Sequence, residues 1–431
     1  MTTEVITMNR YGVALAADSA ITVDDRKVYN TGNKIFPLGN NHQVAIMTYG
    51  KGHLMNVPWS VIINTFGNFL PHEPLQSVEQ YVEQFLHYMN NYDYEELMSS
   101  ELEGNFVKEL LYTKIDYLIS CCKKMHRQIF KEHYKKLTME QSQHIYNQKM
   151  EMMLRKIVKQ YETKPFYEPF SEDDFKWLTE MYSDQLLKYL HEEMLSCFRT
   201  KEICKHMLMI AYHSLLRKNE IYRANLVFVG YGQKNLLPEM ITVEVGTKIN
   251  GKLKYKLNDE QKYKMDMFSP GKIFTFGRSR MIKNFLSGIH PEMEDYLFDR
   301  LNEKLANIPD EIKQLMSHYL PDQLILTEVT KTVEKKLINI YYTLQEDVLV
   351  AKQNHFVNPI ESLITAMPPQ DLGDIAGKLV AIEVFKSKLS KHVEKTTGPI
   401  DVATITKDVG FNWVRGKNNQ RWGNDVIFKY T

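Results

Sequence analysis

The sequence predicts an α+β fold in which short strands cluster in three stretches of the chain, separated by large α-helical insertions. Residues 13–17 (Val-Ala-Leu-Ala-Ala) form a continuous apolar run, not an alternating one, and so read as a strand covered on both faces. Strand-type sequence returns at residues 224–232 (Ala-Asn-Leu-Val-Phe-Val-Gly-Tyr-Gly) and again at 396–406, after long stretches in which apolar residues recur at helical spacing. A sandwich of helices, sheet, sheet and helices buries both faces of each sheet and gives this pattern. A parallel sheet under helices gives it equally, so periodicity alone does not choose.

In chain order, residues 2–50 read as four short strands. Their turns fall at Asn9-Arg10-Tyr11-Gly12, around Asp24-Asp25 and at Gly39-Asn40-Asn41. Two helices are expected at 53–70 and 77–91. Beyond them Val107, Leu110, Leu111, Leu118, Cys121, Cys122, Met125 and Ile129 keep helical spacing, with Lys and Glu between. Further helices are expected at 139–161 and 172–218, with a break from Lys164-Pro165 to Pro169. Strands follow at 224–232 and 239–245, and Ile249-Asn250-Gly251-Lys252 reads as a hairpin turn. A strand at 273–277 leads into a helix carrying Met281, Ile282, Phe285 and Leu286. A second helical stretch covers 293–358. Leu372, Ile375, Ala376, Leu379 and Val380 then mark one apolar helix face, ahead of a last strand pair turning at 408–410.

At 431 residues the chain has room for two or three domains, or for one domain with a large insertion. Hydrophobic residues at 43% and charged residues at 25% are ordinary globular values, and a net charge of +1 gives no reason to expect nucleic acid or an anionic membrane as partner. Cys121, Cys122, Cys197 and Cys204 form neither a disulfide framework nor a zinc pattern, which points to a reducing compartment. With no signal peptide and no apolar run near 20 residues, the expected location is cytoplasmic.

Three residues of the first fifty carry chemistry. If Met1 is removed, Thr2 presents a hydroxyl and a free α-amine together. A hydroxyl needs a base to become a nucleophile, and an α-amine titrating near 7.7–8.0 can serve as one. A lysine ammonium nearby would lower the pKa of both groups, and a buried aspartate would hold that lysine in place. Asp18 ends one apolar run and Lys34 begins the next. Singly, these are an ordinary second residue, a turn acceptor and a snorkelling surface charge. Together, at this spacing, they make a constellation.

The opening resembles the N-terminal threonine hydrolases of the proteasome β-subunit family, including the bacterial peptidase that works with an ATP-driven unfoldase. The likeness rests on Thr2-Thr3, on Ala17-Asp18-Ser19 and on Lys34, in register without a gap, with Gly50 closing the fourth strand. It implies a four-layer αββα sandwich of the N-terminal nucleophile (Ntn) hydrolase type. The core would be residues 1–92, 222–290 and 360–431, with helical insertions at 95–221 and 293–358. It implies catalytic roles for Thr2, Asp18, Lys34 and Gly50, the last as oxyanion donor. Ile21 and Thr22 would pair with an extended peptide, and Ile21, Gly32 and Thr48 would shape the side-chain pocket. Arg278 stands where the family has an accessory serine, with Ser279 beside it. Thr396 or Thr397 would replace a second supporting hydroxyl, and Val393 replaces its aspartate.

The resemblance further implies a peptide or unfolded-protein substrate, a homo-oligomer, a separate ATPase unfoldase, and no cofactor or metal. Two other function classes stay open. One is an amidase acting on a small molecule or on its own precursor. The other is a catalytically inactive scaffold or assembly protein. The basic stretch from Lys123 to Lys136 keeps apolar residues at helical spacing and reads as a solvated helix face. His126 and His133 lack carboxylates in register, and His191-Glu192-Glu193 lacks the second histidine of a zinc protease. No phosphate-binding loop and no Gly-x-Ser-x-Gly elbow occurs.

Overall fold

Backbone pairing begins at the third residue. β1 (Thr3–Asn9) and β2 (Gly12–Asp18) form an antiparallel hairpin running from Glu4↔Ala17 to Asn9↔Gly12. Asn9 makes the turn: its Oδ1 accepts from the N–H groups of Tyr11 (2.8 Å) and Gly12 (3.2 Å), substituting for a backbone acceptor. The chain continues through β3 (Ile21–Val23) and β4 (Lys27–Tyr29) to β5 (Ile35–Pro37) and β6 (Val44–Gly50). A tight hairpin, β7 (His53–Leu54) and β8 (Val57–Pro58), precedes α1 (Trp59–Phe69) and α2 (Val78–Asn91). The computed structural model describes residues 2–23, 27–29, 32–39, 41–91, 99–133, 138–194, 198–218, 224–319, 322–389 and 398–416.

Four helices follow: α3 (Ser100–His133), α4 (Met139–Glu162), α5 (Glu172–Glu193) and α6 (Lys201–Leu216). They share one apolar core, with Leu111, Met150, Leu154, Leu178 and Met207 fully buried. Each such side chain contributes about 1.5–3 kcal/mol relative to exposure. The strands β9 (Ala224–Gly230), β10 (Glu239–Ile249), β11 (Lys252–Lys264) and β12 (Lys272–Gly277) come next, then α7 (Arg280–Ser287). A long antiparallel pair, α8 (Pro291–Met316) and α9 (Gln323–Lys352), leads through a π-helical turn to α10 (Asn358–Ile364) and α11 (Pro369–Lys388). The last described strands are β13 (Ile400–Thr406) and β14 (Gly410–Arg415).

The result is a mixed α+β chain with antiparallel sheets. One sheet has the order β12-β1-β2-β13-β14, the other β11-β10-β9-β6-β5. Ile6, Leu15, Ala403 and Ile405 of the first sheet share a core with Ala45, Met47, Val227 and Val229 of the second. The opposite side of the first sheet, through Val5, Ala16 and Val402, packs on Ile282 of α7 and on Ala376 and Val380 of α11. Outward-facing Ile46, Phe228 and Val243 of the second sheet pack on α1 and α2. β2 is buried along its whole length, as its unbroken apolar run requires.

Three expectations change. The four strands expected in residues 2–50 are six, because β3 and β4 form a separate two-stranded ribbon. The helix expected from residue 53 starts at Trp59, after a hairpin whose turn residues Met55 and Asn56 have φ of 47° and 69°. Pro58 fixes the junction by supplying an extended residue before the helix. The helical stretch expected over 172–218 divides into two helices, α5 ending at Glu193 and α6 starting where Thr200 Oγ1 accepts from the Ile203 N–H. Elsewhere Asn250-Gly251 turns β10 into β11 with φ of 53° and 73°, the left-handed pair that a two-residue hairpin needs. None of the described helices is long and apolar enough to cross a membrane.

Candidate active site

The N-terminal strand brings its first residues into the middle of a sheet. β1 lies between β12 and β2, so Thr3 pairs with Gly277 on one side and the end of β2 lies on the other. Asp18, fully buried at that end, accepts the Thr3 N–H through Oδ1 (2.7 Å) and the Ala20 N–H through Oδ2 (3.2 Å). Lys34 arrives from the approach to β5 and places Nζ 2.8 Å from Asp18 Oδ1. The lysine is 5% exposed and the aspartate 0%. A buried ion pair of this kind needs additional hydrogen bonds to its remaining polar atoms, and the two backbone donors on Asp18 supply them.

Thr2 sits at the head of this arrangement, half-buried. Its carbonyl accepts the Arg278 N–H (2.7 Å), and the Thr3 hydroxyl donates to the Arg278 carbonyl (2.9 Å). Gly277 makes that approach feasible. With φ of +67°, a Cβ there would stand 2.2 Å from the Thr2 carbonyl oxygen and 3.0 Å from Thr2 Oγ1. Arg278 pairs with Glu383 of α11 (3.4 Å), which also accepts the Met281 N–H (2.8 Å).

Of the other expected residues, Thr48 bonds Lys34 itself and Gly32 bonds the residue after Asp18. The Thr48 N–H donates to the Lys34 carbonyl (2.9 Å), and the Gly32 N–H donates to the Ser19 carbonyl (3.0 Å). Ser19 in turn donates to the Pro399 carbonyl (2.6 Å) and lies 3.3 Å from Asp401 Oδ2, tying the loop to β13. Gly50 ends β6 opposite Ala224 at φ of +91°, two residues beyond Thr48. Ser279 is buried directly before α7, next to Arg278, and makes no capping hydrogen bond with its side chain. Ile21 and Thr22 pair with Tyr29 and Val28 in the β3–β4 ribbon, whose other β3 edge carries no strand among the described residues. Thr396 and Thr397 lie outside the described residues.

Beside these lie Gly277 and, above all, Glu4, which no motif of the sequence marks. Glu4 is fully buried in β1, and neither carboxyl oxygen has a hydrogen-bond partner among the described residues. Burial pushes its carboxyl well above the usual carboxylate range; nearby Lys34 opposes that rise and Asp18 adds to it. The signal was present in the strand itself, since Glu4 falls in phase with Ile6 and Met8 on the inter-sheet face. A separate cavity of about 40 Å³, lined by Lys51, His53, Trp59, Phe106 and Lys254 among others, shares no lining residue with this group.

Chemically, the arrangement offers a threonine whose carbonyl is held by the Arg278 N–H and whose following N–H is held by the side chain of Asp18, itself paired with buried Lys34. No protein-family model matches the chain, and no curated protein does.

Proposed function

We propose that the chain is an N-terminal threonine hydrolase that cleaves peptide bonds through an acyl ester on Thr2 after removal of Met1. The observation that carries this reading is the Asp18–Lys34 pair, buried and fastened to the Thr3 N–H immediately after the nucleophile. Supporting it, the shared core between two sheets, with α7 and α11 on one and α1 and α2 on the other, is the arrangement an αββα Ntn core requires.

In this reading the α-amine of Thr2 takes the proton of the Thr2 hydroxyl, directly or through a water. The alkoxide oxygen attacks the substrate carbonyl, and the Gly50 N–H stabilises the oxyanion. Collapse transfers the proton to the leaving amine and leaves an ester on Thr2. A water deprotonated by the same α-amine then releases the acid. The positive charge of Lys34 favours the neutral amine and the developing alkoxide, and Asp18 orients Lys34. The β3 edge away from β4, which carries no strand among the described residues, would offer its backbone groups to an extended peptide, so a peptide pairing there fits better than a small amide.

Intact mass spectrometry before and after a threonine-directed β-lactone or epoxyketone probe tests the proposal. The expected result is loss of Met1 and one adduct on Thr2. Thr2→Ala abolishes the adduct, and Lys34→Ala lowers its rate by roughly 10²-fold or more. A retained Met1 with no adduct would overturn the reading and leave a non-catalytic scaffold.

A further inference from the structure

A second carboxyl group belongs to the same site. Glu4 is two residues along from Thr2, its backbone paired with Ala17 of β2 and Phe276 of β12. Alternation along β1 turns its side chain toward the space between the sheets, in phase with Ile6 and Met8. The charged and titratable groups that act on it there are Lys34 and Asp18. From the opposing sheet Tyr49 of β6, whose ring packs on Phe276 at 5.3 Å, lies within its electrostatic reach. Tyr49 itself donates to Gln261 Oε1 (3.2 Å) and also feels Glu244. Lys34 commits its short contact to Asp18, and Glu4 is left without a hydrogen bond among the described residues.

An unpaired carboxylate in a dry interior is costly, and an apolar side chain of similar volume would fill the space at lower cost. A neutral carboxylic acid is far cheaper to bury. Resting on the hydrolase reading above, we propose that Glu4 is a positioning residue of the Thr2 site, a carboxylic acid whose retained proton leaves the Lys34 charge directed at Thr2. With Glu4 protonated, Glu4, Lys34 and Asp18 together carry no net charge. Once the proton leaves to solvent, the three carry one negative charge. That negative field stabilises the ammonium form of the Thr2 amine, which then cannot accept the hydroxyl proton. Glu4 itself makes and breaks no bond to substrate. The raised titration of its carboxyl, caused mainly by burial, agrees with this assignment.

The test is a pH titration of the Thr2 α-amine in the full chain beginning at Thr2. It is read by mass spectrometry as the rate of reaction with an amine-acylating reagent, for wild type and Glu4→Gln. The expected result is that Glu4→Gln titrates at lower pH, so that its amine reacts several-fold faster where wild-type Glu4 is ionised. In parallel, the wild-type unfolding midpoint falls as pH rises from about 4.3, the usual glutamate value, through the raised value in the fold. Glu4→Gln lacks that fall. Superimposable amine titrations would overturn the proposal, even with a stability difference, because Glu4 would then be only a strained core acid. Should Glu4→Gln fail to fold, Glu4→Met and the wild-type stability profile provide the same comparison, and a flat wild-type profile overturns the proposal. A shifted amine titration without any β-lactone adduct would sustain the role of Glu4 in the field at Thr2 and defeat the hydrolase reading alone.

Discussion

Gly277 shows how much of the candidate site depends on single atoms. A methyl group there would meet the Thr2 carbonyl oxygen at 2.2 Å, against main chain that Arg278 already holds by a 2.7 Å bond. The left-handed φ of +67° adds its own penalty for any side chain, on the order of 1–3 kcal/mol. Gly277→Ala is therefore expected to displace Thr2 and lower the thermal midpoint. The rate of β-lactone labelling on Thr2 should fall at least tenfold, with the intact chain still folded by circular dichroism. Wild-type labelling in Gly277→Ala would show that Thr2 is not held by this contact. Asp18 and Lys34 were legible in the sequence because each borders an apolar run, where a charge must find a partner. Gly277 was not, because nothing in residues 273–280 says which chain end will lie against them. Glu4 was written in the alternation of β1, but a strand buried on both faces hides which polar residue is out of place.

Among elements, the helical bundle carries a pH-sensitive joint at His213 of α6. The ring is buried, stacked on Phe175 at 4.6 Å, and its Nδ1 accepts from Arg217 Nε at 3.1 Å. Burial first, and the Arg217 charge second, lower its pKa to about 4. The folded bundle thus holds His213 neutral, while the unfolded chain takes up the proton at about 6.5. Stability from this group is fully present above about 6.5 and is lost as pH falls from there to about 4. The loss amounts to about 3 kcal/mol. Denaturant midpoints measured across this range should decline in wild type and flatten in His213→Phe; equal slopes would refute the assignment. Arg217 also ties the bundle's connections together, donating to the Lys164 carbonyl (2.7 Å) and to Glu172 (3.1 Å). The helices were readable from periodicity, as the burial of Val107, Leu111, Leu118 and Cys122 attests. Their ends were less so. Between α5 and α6 no Gly or Pro marks the stop, and the signal was the Thr200 cap alone. At residues 53–58, Leu54 and Val57 mimic helical spacing while a two-residue turn reverses the chain.

At the scale of the whole molecule, burial is unevenly shared. α8 has no buried residue and α9 only Leu326, although Lys352 and Glu294 join the pair by contacts of 2.6 and 2.9 Å. α11, by contrast, buries Leu372, Ala376, Leu379 and Val380 against the first sheet. Hydrogen exchange should accordingly release α8 and α9 well before α11, by at least a hundredfold in rate, since few buried contacts oppose local opening. Equal protection would mean that another surface covers the pair. The sheet order has a further consequence, in time. β1 takes its two neighbours from β12, near residue 272, and from the hairpin partner β2, whose other side is closed by β13, ending at residue 406. A ribosome adding 5–20 residues per second needs on the order of 20–80 s to reach that point. For that interval the β1–β2 hairpin has been made and neither of its outer neighbours has, so its two edges wait open until β12 and then β13 arrive.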